Sequence, residues 1–270
     1  MIAASLVAFG GCRDGGAMDI TGNTVFIPGA TSGIGLALAL RLQERGNTVI
    51  IGGRRAAVLD ELAQAHGFDT QQIDVADAAS IRSAAAEVIA RHPQLDVLIA
   101  MAGIMRIEDW TRPGFLADAE EIVTTNLLGP IRLIDAFAPH LATRPRATVV
   151  TVSSGLAHTP LRITPTYNAT KAAIHQLTET LRLQFAGTGV RFLELVPPSV
   201  ATELLPGQSQ SPIAMPLAAF IDEVEHLIET QPDAHEILVE GVKFLRFAEV
   251  RGDYPETLAV INASDPHGAA

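Results

Sequence analysis

The stretch FIPGATSGIG, from Phe26 to Gly35, decides how the rest of the chain is interpreted. It is an apolar run that breaks into glycines and is followed by LALALRLQERG, which has the spacing of a helix. A strand, a glycine-rich turn and a helix in this order are typical of the start of a doubly wound α/β domain, where Gly29 permits the tight turn. Gly33 and Gly35 would let the backbone approach a pyrophosphate at the start of the helix. A plain strand-to-helix corner would use the same small residues.

The alternation of strand and helix continues along the chain. Strands are predicted at 23–27, 47–51, 71–75, 96–100, 147–153 and 190–196, with 236–241 as a candidate late strand. Helices are predicted at 33–45, 56–65, 77–91, 116–140, 167–185 and 217–230. Strands that are apolar throughout and joined by helices indicate a parallel sheet covered on both faces. We therefore expect an α/β fold, a single Rossmann-like doubly wound domain with a sheet of about seven strands.

Composition limits the class of protein. The 270 residues are 48% hydrophobic and 18% charged, which suits one domain over 18–270, after a leader at 1–17 that is disordered or reflects a mis-assigned start. A net charge of -11 argues against binding to nucleic acid or to an anionic membrane. No stretch approaches the roughly 20 apolar residues that span a bilayer. The single cysteine, Cys12, cannot form an intrachain disulfide, which favours a cytoplasmic location.

The end of the second predicted strand, IIGGRR, indicates which dinucleotide would bind. Gly53 stands where such sites place an acidic residue that holds the adenine-ribose hydroxyls. Arg54 and Arg55 follow and would attract a 2′-phosphate, which favours NADP over NAD, unless they only solvate a loop. Asp74, at the end of the third predicted strand, would accept a hydrogen bond from an adenine amino group or cap the next helix.

The segment YNATK carries a candidate proton-transfer pair. Tyr167 and Lys171 lie four residues apart, which puts both side chains on one helix face, where the ammonium would lower the phenol's pKa from about 10. Such a phenol can exchange a proton with an alcohol oxygen while a hydride moves at the adjacent carbon. Ser154, at the end of the fifth predicted strand, would hydrogen-bond the same oxygen, although a serine there is also an ordinary turn residue.

Together these motifs resemble a known family. GATSGIG, the serine of VSSG, YNATK and Asn126 in TTNLLG resemble, in order and spacing, the classical short-chain dehydrogenase/reductase family, over a region from about Met18 to Asn262. Within that family, VSSGLAHTPLRITPTYNATKAAIHQ and EILVEGVKFLRFAE resemble the DltE-like bacterial oxidoreductases. The resemblance implies an enzyme that moves a hydride between a nicotinamide dinucleotide and a small molecule.

The resemblance also implies residue roles. Tyr167 would be the general acid/base, and Lys171 would lower its pKa and hold the nicotinamide ribose. Ser154 would orient the carbonyl, and Asn126 would position a water for the proton relay. NADP(H), in preference to NAD(H), is expected to contact Gly29, Ser32, Gly33, Ile34, Gly35, Arg54, Arg55, Asp74, Val75, Ala102, Gly103, Tyr167, Lys171, Val200 and Thr202. No metal site is predicted.

Three positions depart from the family's pattern. Pro28 replaces the usual threonine before the first glycine, which removes a hydroxyl and a backbone donor. The usual NNAG reads AMAG at 100–103, and Pro198 replaces the glycine of the segment that here reads VPPSVAT. These departures bear on cofactor affinity, and they keep open a sensor or interaction protein that binds the dinucleotide without turnover.

The remaining expectations concern substrate and assembly. An apolar pocket for a hydrophobic ketone, aldehyde or alcohol is expected from Ile104, Met105, Leu156, Pro160, Leu161, Ile163, Leu204 and Leu205. His158 would contact substrate or face solvent, His175 would be structural, and Trp110 would line a lid or anchor a loop. A homodimer or homotetramer is expected through apolar residues that include Ile131, Leu133, Ile134, Phe137, Ile174, Leu177 and Leu181.

These expectations favour an NADP(H)-dependent oxidoreductase of the carbonyl reductase or alcohol dehydrogenase type. The dinucleotide sensor is the main alternative. Epimerisation or dehydration on the same scaffold is a third possibility, because it would use the same proton-relay residues.

Overall fold

The computed structural model describes residues 20–263. The predicted leader at 1–17, with Cys12, lies outside the described residues, as do Met18 and residues 264–270.

A seven-stranded parallel sheet forms the centre of the described region. Its strands are β1 (Thr24–Pro28), β2 (Thr48–Gly53), β3 (Asp69–Gln72), β4 (Val97–Ala100), β5 (Ala147–Val152), β6 (Val190–Leu195) and β7 (Glu236–Ile237). The strands lie in the order β3-β2-β1-β4-β5-β6-β7, and every neighbouring pair is parallel. This confirms the doubly wound α/β fold. The order reverses between β1 and β4, so a crevice opens at the carboxyl ends of these two strands.

Helices cover both faces of the sheet. They are α1 (Gly33–Glu44), α2 (Ala56–His66), α3 (Ala78–Arg91), α4 (Leu116–Val123), α5 (Gly129–Leu141), α6 (Pro165–Gln184), α7 (Leu217–Thr230), α8 (Glu240–Arg246), α9 (Ala248–Arg251) and α10 (Tyr254–Ala263). No helix among residues 20–263 is both long enough and apolar enough to cross a bilayer.

Two hydrophobic layers hold the helices to the sheet. On one face, α1 buries Leu38 and Leu42, which pack in the same cluster as Phe220 of α7. On the other face, α5 buries Leu133 and Phe137 in a cluster that also includes residues of α3. Residues four apart lie on one side of a helix, so this spacing explains why each helix presents an apolar stripe to the sheet.

Three predicted elements differ from the structure. The candidate late strand at 236–241 covers only Glu236–Ile237, because α8 begins at Glu240. The third strand covers Asp69–Gln72 rather than 71–75, because this edge strand pairs with β2 over only four positions. The helix expected over 116–140 is interrupted by a π-helical turn, Thr124–Leu128, between α4 and α5. A π turn adds one residue to the local ring of hydrogen bonds and often marks a functional site. Here it carries Asn126.

The turn after β1 approaches the segment after β4 very closely. Gly29 has a φ of +95°, and a Cβ added to it would lie 2.5 Å from the Cα of Ala102. The backbone N–H of Gly29 donates to the carbonyl of Gly52 on the neighbouring β2, at 2.8 Å. A side chain at position 29 would therefore push apart the two segments that form the floor of the crevice.

We expect Gly29→Ala to destabilise the fold more than Gly67→Ala. Both glycines have a positive φ, but no atom lies within 4 Å of the Cβ position of Gly67. Gly67→Ala, the control, should therefore lower the free energy of unfolding only by the conformational cost of about 1–2 kcal/mol. Gly29→Ala should lower it by a further ~1–3 kcal/mol because of overpacking. Urea unfolding measures both, and equal losses would contradict the close contact.

Candidate functional site

A cavity of about 720 Å³ occupies the crevice at the carboxyl ends of the strands. It brings together all of the sequence-predicted cofactor and catalytic residues except Asn126. The residues that line it include Gly29, Ser32, Gly33, Ile34, Gly35, Arg54, Arg55, Asp74, Val75, Ala102, Gly103, Ser154, Tyr167, Lys171, Val200 and Thr202. Segments far apart in sequence thus converge on one cavity.

One end of the cavity carries two arginines. Arg54 and Arg55 follow β2, are exposed and take part in no ion pair among residues 20–263. Arg55 donates to the hydroxyl of Thr31 at 3.3 Å. A Cβ at Gly53 would lie 2.5 Å from the methyl carbon of Thr31, so an acidic side chain cannot stand at position 53 without moving that residue. This end of the cavity therefore favours an anion.

Asp74 lies in the same part of the cavity, two residues beyond the end of β3 rather than within it. Its carboxylate accepts from the backbone N–H of Ala76 at 2.9 Å and so closes a local turn. The following helix, α3, is capped by Asp77, whose side chain accepts from Ala79 at 2.8 Å. The structure therefore rules out the helix-capping alternative for Asp74.

The candidate proton-transfer group lies at the opposite end. Tyr167 and Lys171 are on the first turns of α6 and are both about 5% exposed. The Nζ of Lys171 donates to the carbonyl of Val152 at 2.8 Å and lies 5.5 Å from the centre of the Tyr167 ring. Ser154 lies beyond the end of β5, and its hydroxyl accepts from the N–H of Leu156 at 3.1 Å.

Burial changes the proton affinities of this pair. It raises the pKa of Tyr167 to about 12, and the hydrogen bond with Ser154 counters only part of that rise. Burial also lowers the pKa of Lys171 to about 8, although the negative charge of Glu194 works against this. Desolvation therefore holds the phenol's pKa above its ordinary value of about 10. The lowering expected from Lys171 stays a prediction.

Asn126 lies behind the cavity wall, fully buried. Its Oδ1 accepts from the N–H of Ile104 and its Nδ2 donates to the carbonyl of Ile104, both at 2.8 Å. The Nδ2 also reaches the hydroxyl of Thr170 at 3.4 Å. The side chain therefore fixes the backbone after β4 in place. The water that Asn126 is expected to position for the proton relay stays a prediction.

Comparison with known proteins decides the family. The short chain dehydrogenase family model matches residues 23–212. The chain belongs to this family. A relative from Bacillus subtilis (strain 168), described as uncharacterized oxidoreductase DltE, is 43% identical over 190 residues, which cover 69% of this chain and 75% of the relative.

Two solved structures share the fold of this short-chain dehydrogenase. One is a short chain dehydrogenase from Burkholderia cenocepacia J2315 in complex with NADP, 24% identical with a TM-score of 0.76, covering 89% of this chain and 99% of that chain. The other is 3-ketoacyl-(acyl-carrier-protein) reductase from Brucella melitensis complexed with NADH, 22% identical with a TM-score of 0.69, covering 83% and 96% respectively.

Sequence reasoning missed a residue that holds the start of α6. Glu108 is buried, and its carboxylate accepts from the backbone N–H of Thr166 at 2.8 Å and from its hydroxyl at 2.6 Å. Thr164, at the N-cap position, makes no capping bond with its side chain. Glu108 thus caps the helix from a distant segment, where the positive end of the helix dipole favours a carboxylate. The capped residue directly precedes Tyr167.

The substrate end of the cavity is less apolar than expected. Ile104, Met105 and Leu204 line it, but Leu156, Pro160, Leu161, Ile163 and Leu205 do not. Polar residues that the sequence did not single out also line the cavity, among them Arg106, Thr125, Ser153, Glu203, Gln208 and Ser209. The Nε2 of Gln208 donates to the carbonyl of Val200 at 2.7 Å.

The sequence also singled out the side chains of Trp110, His158 and His175. Trp110 is exposed and stacks on Phe115 with ring centres 4.5 Å apart, so it anchors its own loop. His158 is half-buried against His175, with ring centres 4.6 Å apart, and therefore does not face solvent. Neither Trp110 nor His158 lines the cavity.

The C-terminal helices clasp the loop that follows Ser154. A Cβ on Gly155 would lie 2.7 Å from a methyl carbon of Leu245 in α8. Thr159 donates to the carbonyl of Leu245 at 3.0 Å. Asn262 of α10 donates to the carbonyl of Pro160 at 3.1 Å. The loop is thus held on its outer side by α8 and α10.

We expect Glu108→Gln to destabilise this short-chain dehydrogenase by about 1–3 kcal/mol, because the amide –NH₂ would replace one of the two acceptor oxygens facing the donors of Thr166. Glu120→Gln, an exposed carboxylate on α4, is the matched control and should change little. Unfolding in urea measures both, and a Glu108→Gln value as small as the control's would contradict the capping role.

Proposed function

We propose that this short-chain dehydrogenase is an NADP(H)-dependent oxidoreductase that interconverts a carbonyl compound and an alcohol. The observation that carries the proposal is the placement of Ser154, Tyr167 and Lys171 at one end of the cavity, with Arg54 and Arg55 at the other. The two ends match a ligand with a reactive group at one side and a phosphate at the other.

The cavity fits a dinucleotide. The Cβ positions of Gly29 and Gly35 are filled by neighbouring backbone, so the turn between β1 and α1 presents bare backbone to the cavity. The N–H groups at the start of α1 favour a phosphate there. Because one fold neighbour holds NADP and another NADH, the preference for NADP(H) is argued from Gly53, Arg54 and Arg55 of this chain.

The residues at the reactive end divide the chemistry between them. NADP(H), when bound, supplies or accepts the hydride. Tyr167 donates a proton to the carbonyl oxygen in reduction and accepts it in oxidation. Ser154 hydrogen-bonds the same oxygen and so stabilises the charge that develops on it. Lys171, held by the carbonyl of Val152, places its ammonium beside the phenol, where a positive charge favours the phenolate.

Asn126 is a positioning residue in this proposal. By bonding both polar groups of Ile104, it fixes the backbone that follows Gly103 and lies against the cavity. Val200 and Thr202 are proposed contacts to the nicotinamide carboxamide, and Asp74 with Val75 to the adenine end. The apolar side chains of Ile104, Met105 and Leu204, which line the cavity, favour a substrate with an apolar group next to its carbonyl.

The proposal includes the predicted assembly, domain extent and location of the protein. A homodimer or homotetramer is supported by apolar residues exposed on neighbouring helices, Leu116 of α4, Ile131 of α5 and Leu183 of α6. Leu133, Ile134, Phe137 and Ile174, expected at that interface, are buried in the core instead. The single domain over 18–270 and the cytoplasmic location stay predictions.

We expect Tyr167→Phe to lower the rate of carbonyl-dependent NADPH oxidation on the order of 10²–10⁴-fold while NADPH still binds, because the proton donor is lost. Tyr254→Phe removes the chain's other tyrosine and should keep full activity. A panel of ketones and aldehydes, followed at the nicotinamide absorbance band, measures the rate. If the wild type binds NADPH but oxidises none of it with any carbonyl, the proposed oxidoreductase is wrong and the dinucleotide sensor is favoured.

We expect the double change Arg54→Ala with Arg55→Ala to raise the KM for NADPH on the order of 10-fold or more, since charge-assisted bonds to the 2′-phosphate are lost. The KM for NADH should stay unchanged. Arg112→Ala, an exposed arginine outside the cavity, is the control. An equal effect on both dinucleotides would contradict the assignment of the arginines.

A further inference from the structure

A second polar cluster lies behind α6, outside the dinucleotide cavity. It consists of His158, His175, Glu194 and Glu236, none of which lines that cavity. One ligand atom from each residue lies within 4.8 Å of the others. The four residues come from the loop after β5, from α6, from β6 and from β7, so the whole sheet edge holds them in place.

The two carboxylates are neighbours on adjacent strands. Glu194 and Glu236 are register partners in the β6–β7 pair, which puts both side chains on the same face of the sheet. Glu194 is fully buried. Two carboxylates side by side in a buried place repel each other, so they require positive charge between or around them.

Positive groups surround the two carboxylates. Arg246 binds Glu236 with two hydrogen bonds, of 2.8 and 3.0 Å. Arg182 lies 3.7 Å from Glu194. The ammonium of Lys171 is also attracted by Glu194. These cations offset the repulsion between the two carboxylates.

The imidazoles supply nitrogen ligand atoms beside the two carboxylates. The Nδ1 of His175 lies 2.9 Å from one oxygen of Glu194 and 3.9 Å from one of Glu236. The Nε2 of His158 is buried and has no hydrogen-bond partner among the described residues. A buried polar atom without a partner is costly, and a metal ion would satisfy it.

We propose that His158, His175, Glu194 and Glu236 form a binding site for a divalent transition-metal ion of the zinc type. Two imidazole nitrogens and two carboxylate oxygens are a set that Zn²⁺ binds tetrahedrally, whereas Mg²⁺ prefers oxygen and water ligands alone. Bonds of about 2.0–2.2 Å place tetrahedral ligand atoms roughly 3.3 Å apart, so small side-chain movements close the site.

The guanidinium groups are compatible with the ion. Each carboxylate oxygen has two lone pairs, so Glu236 can keep both bonds to Arg246 and still offer one lone pair to the metal. Carboxylates that bind a metal ion are usually hydrogen-bonded in turn by groups of the outer shell. Bound there, the ion ties together the loop after Ser154, the helix of Tyr167 and the sheet edge, and its effect is on stability rather than on the reacting atoms.

Zinc binding to the full chain tests the proposal. Tag-free protein, stripped with a chelator, is titrated with Zn²⁺ by calorimetry, and the zinc retained after desalting is measured by elemental analysis. We expect one ion per chain and a rise in melting temperature with Zn²⁺ but not with Mg²⁺. Absence of stoichiometric zinc overturns the proposal.

Two variants locate the ion. His158→Phe keeps an aromatic ring against His175 but removes the nitrogen, and should weaken zinc binding on the order of 100-fold or more. His66→Phe, at an exposed position of α2, is the control and should bind zinc as the wild type does. Equal binding by both variants overturns the site.

The wild type alone provides a measurement that does not depend on the folding of a variant. Co²⁺ added in place of zinc should give the intense visible absorption of a tetrahedral complex. The weak spectrum of octahedral aqueous cobalt would overturn the proposal.

Discussion

The close approach of the turn after β1 to the segment after β4 is the constraint on which the cavity depends. At Gly29 and Ala102 the two backbones meet with no side chain between them, and Gly35 continues this contact, since its Cβ position lies 2.7 Å from the carbonyl oxygen of Gly29. The chain leaves β1 toward one face of the sheet and β4 toward the other. Small residues at this junction therefore let the two backbones pack together at the floor of the cavity.

Local patterns in the sequence were sufficient for most of the fold. Apolar strands and helical spacing located the sheet and its covering helices, because burial on both faces leaves a signal within each segment. The short edge strand β3 was displaced, since four residues that pair on one side carry little pattern. The π turn around Asn126 was also not predicted, and its side-chain partner, Ile104, lies 22 residues away.

The candidate site was predictable where function requires one residue type at a fixed spacing, as for Tyr167 and Lys171. It was not predictable where distant segments meet. Glu108 lies 58 residues before the helix terminus it caps, and the two carboxylates beside His175 become neighbours only when β6 and β7 are paired. The raised pKa of Tyr167 likewise follows from burial, which the spacing of YNATK does not express.

The clasp of α8 and α10 on the loop after Ser154 has a consequence for the candidate site. The family model ends at residue 212, whereas Leu245 and Asn262 lie beyond it and contact Gly155, Thr159 and Pro160 within it. The shape of the space beside Ser154 therefore depends on residues that lie outside the part of the chain that the family model describes.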